Sequence, residues 1–444
     1  MSTQDVADFI VDADFESFPS SVVAQAKVAI RDALGVALAA HKDRAVEATR
    51  RVAITMGGKE ESTLIGIGVK VPCNIAAWVN AIMASTLDMD DGAWGTIGHK
   101  GHLGGIVVPS SLAVAERENA GGKDLIEAVV IGYEVGLRTG YMMAKTVNYP
   151  VVSGTPGTYA AAAATAKLLK LNQKEIVDAL GISEAHSPWY RGEAFYPVSM
   201  TKEAMGWGAI TGVSAALLAM EGFGGRRTIF DLPQYDRKSL ETFGEEWEIL
   251  TLYFKPYSAC RFCHASIDGV IQLSKKHNLG LDDISKIIVG VPSIKIAENF
   301  ATYRPDTIWR AQYSIPFTIG AALVDREVGP KQIAENRLCD KSILSLADKV
   351  MLVVDPEVEG LGQGVLASRI KIETKEGNSF EIFINSPRGG PENPFGEDEL
   401  RNKFKKLASM TIGSYKAENL MKSLNGLENL RSLNEMLRAC IKGS

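Results

Sequence analysis

The feature that most constrains the fold is a helical spacing of apolar residues through the first half of the chain. Apolar residues recur three and four positions apart through 22–38, 75–87, 125–135 and 159–171, the spacing of a buried helix face. Alanine is dense in several of these stretches, as in residues 160–164. Because small side chains let helices approach closely, we expect residues 1 to about 250 to form a tightly packed helical bundle.

The pattern changes near residue 285 to one typical of β-strands. Alternation and β-branched side chains mark three stretches, 284–291, 366–374 and 380–384. The last two flank a Gly377-Asn378 turn signal and are predicted to form a hairpin. Helical segments are predicted beside these strands at 258–277 and 315–324.

These patterns predict two domains, since 444 residues are too many for one typical core. The first is a large all-helical domain, residues 1–258 plus 388–444, discontinuous because amphipathic helix resumes after the break at 386–391. The second is a smaller α+β domain, residues 259–387. The predicted fold class is therefore mainly α with an α+β second domain.

Bulk composition narrows the classes of partner. A net charge of −5 argues against general nucleic-acid binding, which favours a basic surface. Five cysteines are an odd and sparse set, which fits a reducing compartment. The first residues lack the basic and apolar regions of a signal peptide, and apolar stretches such as 210–220 fall short of the roughly 18 residues that span a bilayer. We therefore expect a cytoplasmic protein with no nucleic-acid or membrane partner.

The densest chemical cluster lies in residues 253–264. It brings Lys255, Arg261 and His264 together with the thiols of Cys260 and Cys263, and so suggests a pocket for a small polyanion. The same residues match a c-type haem attachment pattern, which would require export. They fall short of a four-ligand zinc set, and a redox pair would need a preceding βαβ unit.

A second cluster supplies carboxylates and imidazoles. Asp88, Asp90 and Asp91 are followed by His99 and His102 in a Gly-rich segment. These residues could bind a metal, or serve as pocket carboxylates with a histidine as acid or base.

Lysine 202 leads an apolar helix-like run. Lys202 could bind a substrate carboxylate, or act as a base if burial lowered its pKa.

An ordered set of short motifs resembles one family over nearly the whole chain. In order, the motifs lie at 87–91, 102–109, 132–138, 154–157, 200–206, 255–264, 311–317 and 387–394. The set resembles the MmgE/PrpD family, which includes 2-methylcitrate dehydratase, cis-aconitate decarboxylase and iminodisuccinate epimerase. The resemblance implies a large helical domain, a smaller α+β lid domain and a homodimer. It also implies an active site between the domains, no metal or organic cofactor, and proton handling beside a carboxylate of a small di- or tricarboxylic acid.

The resemblance and the residue types together give the predicted site. The predicted catalytic residues are Asp88, His102, Lys202 and His264, with His102 or Lys202 as base and His264 as the acid that protonates a leaving group. The predicted substrate-binding residues are Asp91, His99, Arg138, Tyr141, Lys255 and Cys260. His99 is also an alternative to His102 as base, and Arg138 could instead cap helices.

Three positions depart from the family pattern. Val151 stands where cis-aconitate decarboxylases have a histidine, Phe317 where a tyrosine is common, and Gly92 where a threonine or similar polar residue is expected. These losses weaken both the decarboxylase and the strict 2-methylcitrate dehydratase interpretation. We rank a 2-methylcitrate dehydratase-like hydro-lyase first and an epimerase or isomerase second. A decarboxylase and a catalytically inactive binding homologue remain further alternatives.

Overall fold

A computed structural model of the chain describes residues 2–95, 98–146, 152–188, 202–226, 228–362 and 365–443. The side chains at 94, 95, 98 and 99 are outside that description.

The helices, numbered in chain order within these residues, are α1 Thr3–Asp12, α2 Ser20–Ala39, α3 Arg44–Met56, α4 Cys73–Ser85, α5 Gly104–Arg117, α6 Gly122–Thr146, α7 Gly154–Leu168, α8 Gln173–His186, α9 Met205–Met220, α10 His264–Lys276, α11 Ile294–Asn299, α12 Ile308–Gln312, α13 Ile315–Asp325, α14 Lys341–Ala347, α15 Pro356–Gly360, α16 Glu397–Asn425 and α17 Asn434–Ala439. The strands are β1 Ser62–Thr63, β2 Lys70–Val71, β3 Gly92–Gly95, β4 Gly98–Gly101, β5 Leu252–Tyr253, β6 Ile284–Val291, β7 Val350–Val354, β8 Ser368–Thr374 and β9 Ser379–Ile384.

Small residues hold the centre of the helical domain together. The alanines 160–164 of α7 are all fully buried. A methyl group added to Gly136 of α6 would lie 2.6 Å from the Ala160 Cβ, and one added to Gly212 of α9 would lie 2.6 Å from the Ala161 Cβ. Helices α6, α7 and α9 therefore pack closely because these positions carry almost no side chain, as the alanine-rich sequence predicts.

The smaller domain is a four-stranded sheet covered by helices. The strand order is β7-β6-β8-β9, with β6 and β7 parallel and the other pairs antiparallel. Ile370 and Ile372 of β8 are fully buried, and α10 packs on this face with Gly269 against Ile370.

The local predictions are confirmed in part. The hairpin of β8 and β9 and helix α13 lie where the sequence predicts them. The helix predicted from residue 258 begins only at His264, after a short 3-10 turn at Arg261–Cys263. The parallel strand β7 and the small sheet β4-β3-β5 were not predicted.

Each of the two domains has its own hydrophobic core. One contains buried residues from 6–254 and 404–440, and the other contains residues from 259–384. The fold class predicted from the sequence, mainly α with a smaller α+β domain, is confirmed. The boundaries after residues 258 and 387 stay predictions.

One segment in the described part of the chain corrects the expectation about apolar runs. Lys202–Met220 spans 19 residues with a mean hydropathy of 1.2, enough by length and composition to cross a membrane, and 61% of that window is buried inside the fold. The central helix of a globular domain passes the same test, so this feature is weak evidence for a membrane span.

Candidate active site at the domain junction

The turn after α4 lies against the smaller domain. The Ser258 hydroxyl donates to the Leu87 carbonyl at 2.5 Å, and the Gln312 side-chain amide donates to the Thr86 carbonyl at 3.1 Å. Asp88 follows directly with a φ of 51°, in the left-handed region that aspartate tolerates better than most residues. The junction therefore fixes the backbone that carries Asp88.

Asp88 is the centre of a buried ion cluster. Its Oδ1 lies 2.6 Å from the Lys202 Nζ and 2.5 Å from the Lys255 Nζ. Lys202 also lies 3.3 Å from the Asp90 Oδ1. All four side chains are almost completely buried. Burial of such charges is favourable only when they are paired, so each carboxylate and ammonium here depends on the others.

The pKa values in the cluster follow from this pairing. Burial raises the pKa of Asp88, but the Lys202 and Lys255 ammonium groups outweigh burial and hold it below its usual range. Burial lowers the pKa of Lys202, but Asp88, Asp90 and Glu203 outweigh burial and raise it. This environment favours Lys202 as a cation over the predicted base, and its role in the site stays a prediction.

His102 lies between β4 and α5 with one ring nitrogen oriented by the backbone. Its Nδ1 is 2.6 Å from the Asp91 carbonyl oxygen and 3.7 Å from the Asp90 Oδ2. Because a carbonyl only accepts, Nδ1 carries a proton, and in the neutral imidazole Nε2 then carries the lone pair. The backbone N–H of His102 donates to the Ser153 hydroxyl at 2.9 Å, and that hydroxyl in turn donates to the Glu203 carboxylate. The imidazole is therefore held in the tautomer that accepts a proton through Nε2.

The carboxylate of Asp91 makes its hydrogen bonds within the helical domain. Its carboxylate accepts from the Tyr133 hydroxyl and, at 3.0 Å, from the Gly104 N–H. Burial raises its pKa to about 7. These contacts fix the start of α5 beside His102, so Asp91 is better interpreted as a positioning residue than as the predicted substrate ligand.

His264 does not have the geometry of the predicted acid. Its Nε2 lies 3.0 Å from the Ala259 carbonyl oxygen, to which it donates, and its Nδ1 accepts from Arg261 at 3.1 Å. Burial, with Arg261 and Lys255 nearby, holds its pKa well below the usual range. These contacts engage both nitrogens of the neutral imidazole and favour a structural role for His264, and its role as the acid stays a prediction.

Arg138 is committed inside the helical domain. It pairs with Glu134 and donates to the carbonyls of Thr242 at 3.2 Å and Glu246 at 2.8 Å. These contacts fit the alternative in which Arg138 fixes helices, rather than the prediction that it binds a substrate carboxylate.

The remaining predicted residues divide into three cases. The ring of Tyr141 lies between Lys100 and Lys145, with Nζ-to-centroid distances of 5.7 and 5.1 Å. Burial is the main cause that raises the pKa of the Cys260 thiol to about 12, and Asp88 adds to it, so Cys260 is a neutral group near the cluster. The side chain of His99, together with Val151, lies outside the described residues.

Three residues of the site are absent from the predicted catalytic and substrate-binding residues. Asp90, considered from the sequence only as a metal ligand or pocket carboxylate, contacts both Lys202 and His102. Glu203 and Ser153 support the backbone of His102. In the sequence, the position of Glu203 next to Lys202 was the signal that could have placed Glu203 in the site. The left-handed φ values of Lys202, Glu203 and Ala204, at 22°, 51° and 55°, carry no sequence signature.

The metal alternative has little support in the part of the chain that the structure describes. No group of three or more His, Cys, Asp or Glu residues there could hold a metal ion. The carboxylates of Asp88 and Asp90 instead meet the ammonium group of Lys202.

Asp90 gives a pH-dependent prediction. Burial raises its pKa to about 6, so the charge beside His102 is lost as pH falls through that value. An ionised Asp90 favours the imidazolium that forms when His102 takes a proton. We expect the turnover ratio of wild type to Asp90→Asn to be near one at about pH 5 and to grow toward about pH 8.

Steady-state rates across this pH range check the prediction. Asp268→Asn, a buried carboxylate in the smaller domain whose pKa is also raised, chiefly by burial, is the matched control and should show a constant ratio. A constant ratio for Asp90→Asn as well would contradict the role of its charge.

A helical domain and a smaller α+β domain, with a buried cluster of lysine and aspartate side chains at their junction, define an enzyme of two-domain architecture. Residues 4–235 match the MmgE/PrpD N-terminal domain, and residues 257–428 match the MmgE/PrpD C-terminal domain. The chain belongs to the MmgE/PrpD family.

Similar curated proteins extend over almost the whole chain. Cis-aconitate decarboxylase-like protein oryM of Aspergillus oryzae is 25% identical over 99% of this chain and 97% of its own length. Cis-aconitate decarboxylase of Aspergillus terreus is 25% identical, covering 96% and 94%. Cis-aconitate decarboxylase of Homo sapiens is 26% identical, covering 84% and 80%.

Proposed function

We propose that the chain is a cofactor-independent lyase that abstracts a proton α to a carboxylate of a small di- or tricarboxylic acid and expels a hydroxyl from the neighbouring carbon. The observation that carries this proposal is the juxtaposition of His102, in its Nε2-basic tautomer, with the cations of Lys202 and Lys255 around Asp88 and Asp90.

The electrostatics fit this chemistry. Removing a proton beside a carboxylate creates a dianionic species, which needs fixed positive charge in a site closed from water. Each lysine has three N–H donors. In the described contacts Lys202 uses two on carboxylates and Lys255 uses one. The remaining donors are suited to a substrate carboxylate.

Decarboxylation is the second candidate. It is favoured by the names of the similar proteins, all of which are cis-aconitate decarboxylases or a decarboxylase-like protein. The same cations would stabilise the carbanion left when carbon dioxide departs. Val151, which stands where cis-aconitate decarboxylases have a histidine, places it behind dehydration.

Epimerisation ranks lower. It requires bases on opposite faces of one carbon. Besides His102, Lys202 lies against two carboxylates that raise its pKa, and the ring of Tyr141 lies near the ammonium groups of Lys100 and Lys145. The homodimer, the cytoplasmic location and the absence of a nucleic-acid or membrane partner remain part of the proposal.

Proton NMR in deuterated water tests the function. The purified enzyme is incubated with 2-methylcitrate, citrate, cis-aconitate, iminodisuccinate and tartrate-like acids. We expect deuterium at an α-carbon together with an unsaturated product. His102→Ala should lower both by at least about a hundredfold, the scale of a lost general base. His277→Ala is the control, because His277 stacks on Phe380 in the smaller domain.

Each other outcome identifies a different function. Release of carbon dioxide from cis-aconitate would replace dehydration by decarboxylation, and exchange with inversion would identify an epimerase. Folded protein without exchange or product, but with a melting temperature raised by citrate-like ligands, would identify a binding homologue.

A further inference from the structure

The hydroxyl of Tyr253 is a buried polar group that the mechanism so far does not use. The side chain is 1% exposed, and its Oη has no hydrogen-bond partner among the described residues. Leaving a buried hydroxyl unpaired costs free energy on the order of 1–3 kcal/mol. A group retained at that cost beside charged residues is a candidate for contact with substrate.

The small sheet aims this hydroxyl at the site. Strand β5 pairs with β3, so that Tyr253 lies opposite Gly92, the residue after Asp91. A methyl group built on Gly92 would lie 2.4 Å from the Tyr253 Oη and 3.0 Å from the His102 Nδ1. The rings of Tyr253 and His102 meet edge to face with centroids 6.1 Å apart. The hydroxyl and the imidazole therefore approach the same small space.

Glycine at position 92 is what makes this arrangement possible. Any larger residue would place its Cβ inside contact distance of the phenol. The family pattern predicts a threonine or similar polar residue at position 92, and this chain has a glycine instead. The hydroxyl of Tyr253 fills the space that such a side chain would enter.

A cation is fixed over the ring of Tyr253. The Arg261 guanidinium carbon lies 4.7 Å from the ring centroid. Arg261 is held there by the carbonyls of Arg388 at 2.7 Å and Pro387 at 3.0 Å. Burial raises the pKa of Tyr253 well above its usual range, while Arg261 opposes that rise. The phenol is therefore protonated at rest, and a phenolate formed during a reaction would be stabilised by Arg261.

We propose that Tyr253 is the general acid of this site, the role for which His264 is unsuited. The inference rests on the proposed lyase function. His102 takes the α-proton at Nε2, the carbon–oxygen bond breaks with its electron pair on oxygen, and the Tyr253 O–H protonates the departing hydroxyl to give water. The imidazolium proton then returns to the phenolate, which restores both groups. In a decarboxylation the same phenol proton would go to the carbon that has lost carbon dioxide, and a proton from solvent would restore the phenol.

The test compares two phenol deletions in the same segment. Tyr253→Phe removes only the hydroxyl, and we expect kcat to fall by at least about a hundredfold with KM little changed. Tyr257→Phe is the matched control. The Tyr257 hydroxyl donates to Asp268 at 2.6 Å, so its loss should lower the melting temperature while kcat stays close to wild type.

Deuterium exchange separates an acid from a structural role. In Tyr253→Phe the ratio of α-carbon exchange to product should rise, since His102 still removes the proton while departure of the hydroxyl is blocked. Normal kcat in Tyr253→Phe, or equal loss of exchange and product, would overturn the assignment and leave the lyase function standing. A wild-type enzyme without exchange or product on the whole panel would overturn the function, and the acid role with it.

Discussion

Lys202→Ala is expected to lower turnover by at least about a hundredfold in protein that still folds. The substitution removes one of two ammonium groups bonded to Asp88 and the cation that lies 3.3 Å from Asp90. Negative charge that develops on the substrate then faces two carboxylates with only Lys255 to balance them. The effect should fall on kcat more than on KM, because the charge is largest in the transition state.

Lys27→Ala is the control for loss of a paired lysine. Lys27 donates to Glu428 and to the Asn425 carbonyl, each at 2.6 Å, outside the ion cluster. Turnover should stay near wild type in this variant. Circular dichroism and steady-state rates on both proteins complete the comparison, and near-normal turnover in folded Lys202→Ala would remove Lys202 from the site.

Asp88→Asn is expected to cost both stability and activity. The substitution leaves the Lys202 and Lys255 ammonium groups close together in a buried place without the carboxylate that balances them. Breaking a buried ion pair by removing one partner costs about 3–5 kcal/mol in free energy of unfolding. Turnover per folded molecule should also fall by at least about a hundredfold, because the lysines lose the group that orients them.

The loss of stability in Asp88→Asn should depend on pH. The pKa of Asp88 is below its ordinary value of 3.8 in the folded protein. The ionised pair therefore stabilises the fold above that pH and loses this contribution as pH falls. The stability difference between wild type and Asp88→Asn, measured by urea unfolding, should be largest near neutral pH and shrink in acid.

Glu116→Gln is the matched control for a buried, paired carboxylate away from the cluster. The Glu116 carboxylate lies 2.9 Å from the Lys70 Nζ and accepts from the Thr63 backbone N–H at 2.6 Å. This variant should also lose stability, yet retain its turnover per folded molecule. If Asp88→Asn were as stable as wild type, the charge balance described for the cluster would be wrong.

Prediction from sequence succeeded where local periodicity and burial agree. The alanines of α7 pack as expected because no side chain competes for the space between α6, α7 and α9. Strands β8 and β9 pair around a turn that the Gly377-Asn378 signal marks. Strand β7 was missed because its partner β6 lies about sixty residues earlier, and such pairing has no local signature.

The candidate site was predicted as a set of residue types rather than as an arrangement. Asp88, Lys255 and Lys202 were named from motif positions, and the structure brings them into one cluster. The sequence could not decide between the possible roles of Lys202 and His264, because the charge state of a side chain depends on its contacts in the fold. Lys202 meets Asp88 across more than a hundred residues of chain, and the local contacts of His264 were invisible in the residue order.

The sequence by itself determined the family, the mainly α fold with its α+β second domain, and most residues that meet at the domain junction. These properties follow from periodicity and ordered motifs, which the residue order contains directly. Only the tertiary structure decided that Lys202 lies against Asp88 and Asp90, that the Asp91 carbonyl orients the His102 Nδ1, and that Tyr253 lies opposite Gly92. Charge state and tautomer are set by burial and by contacts between segments far apart in the chain.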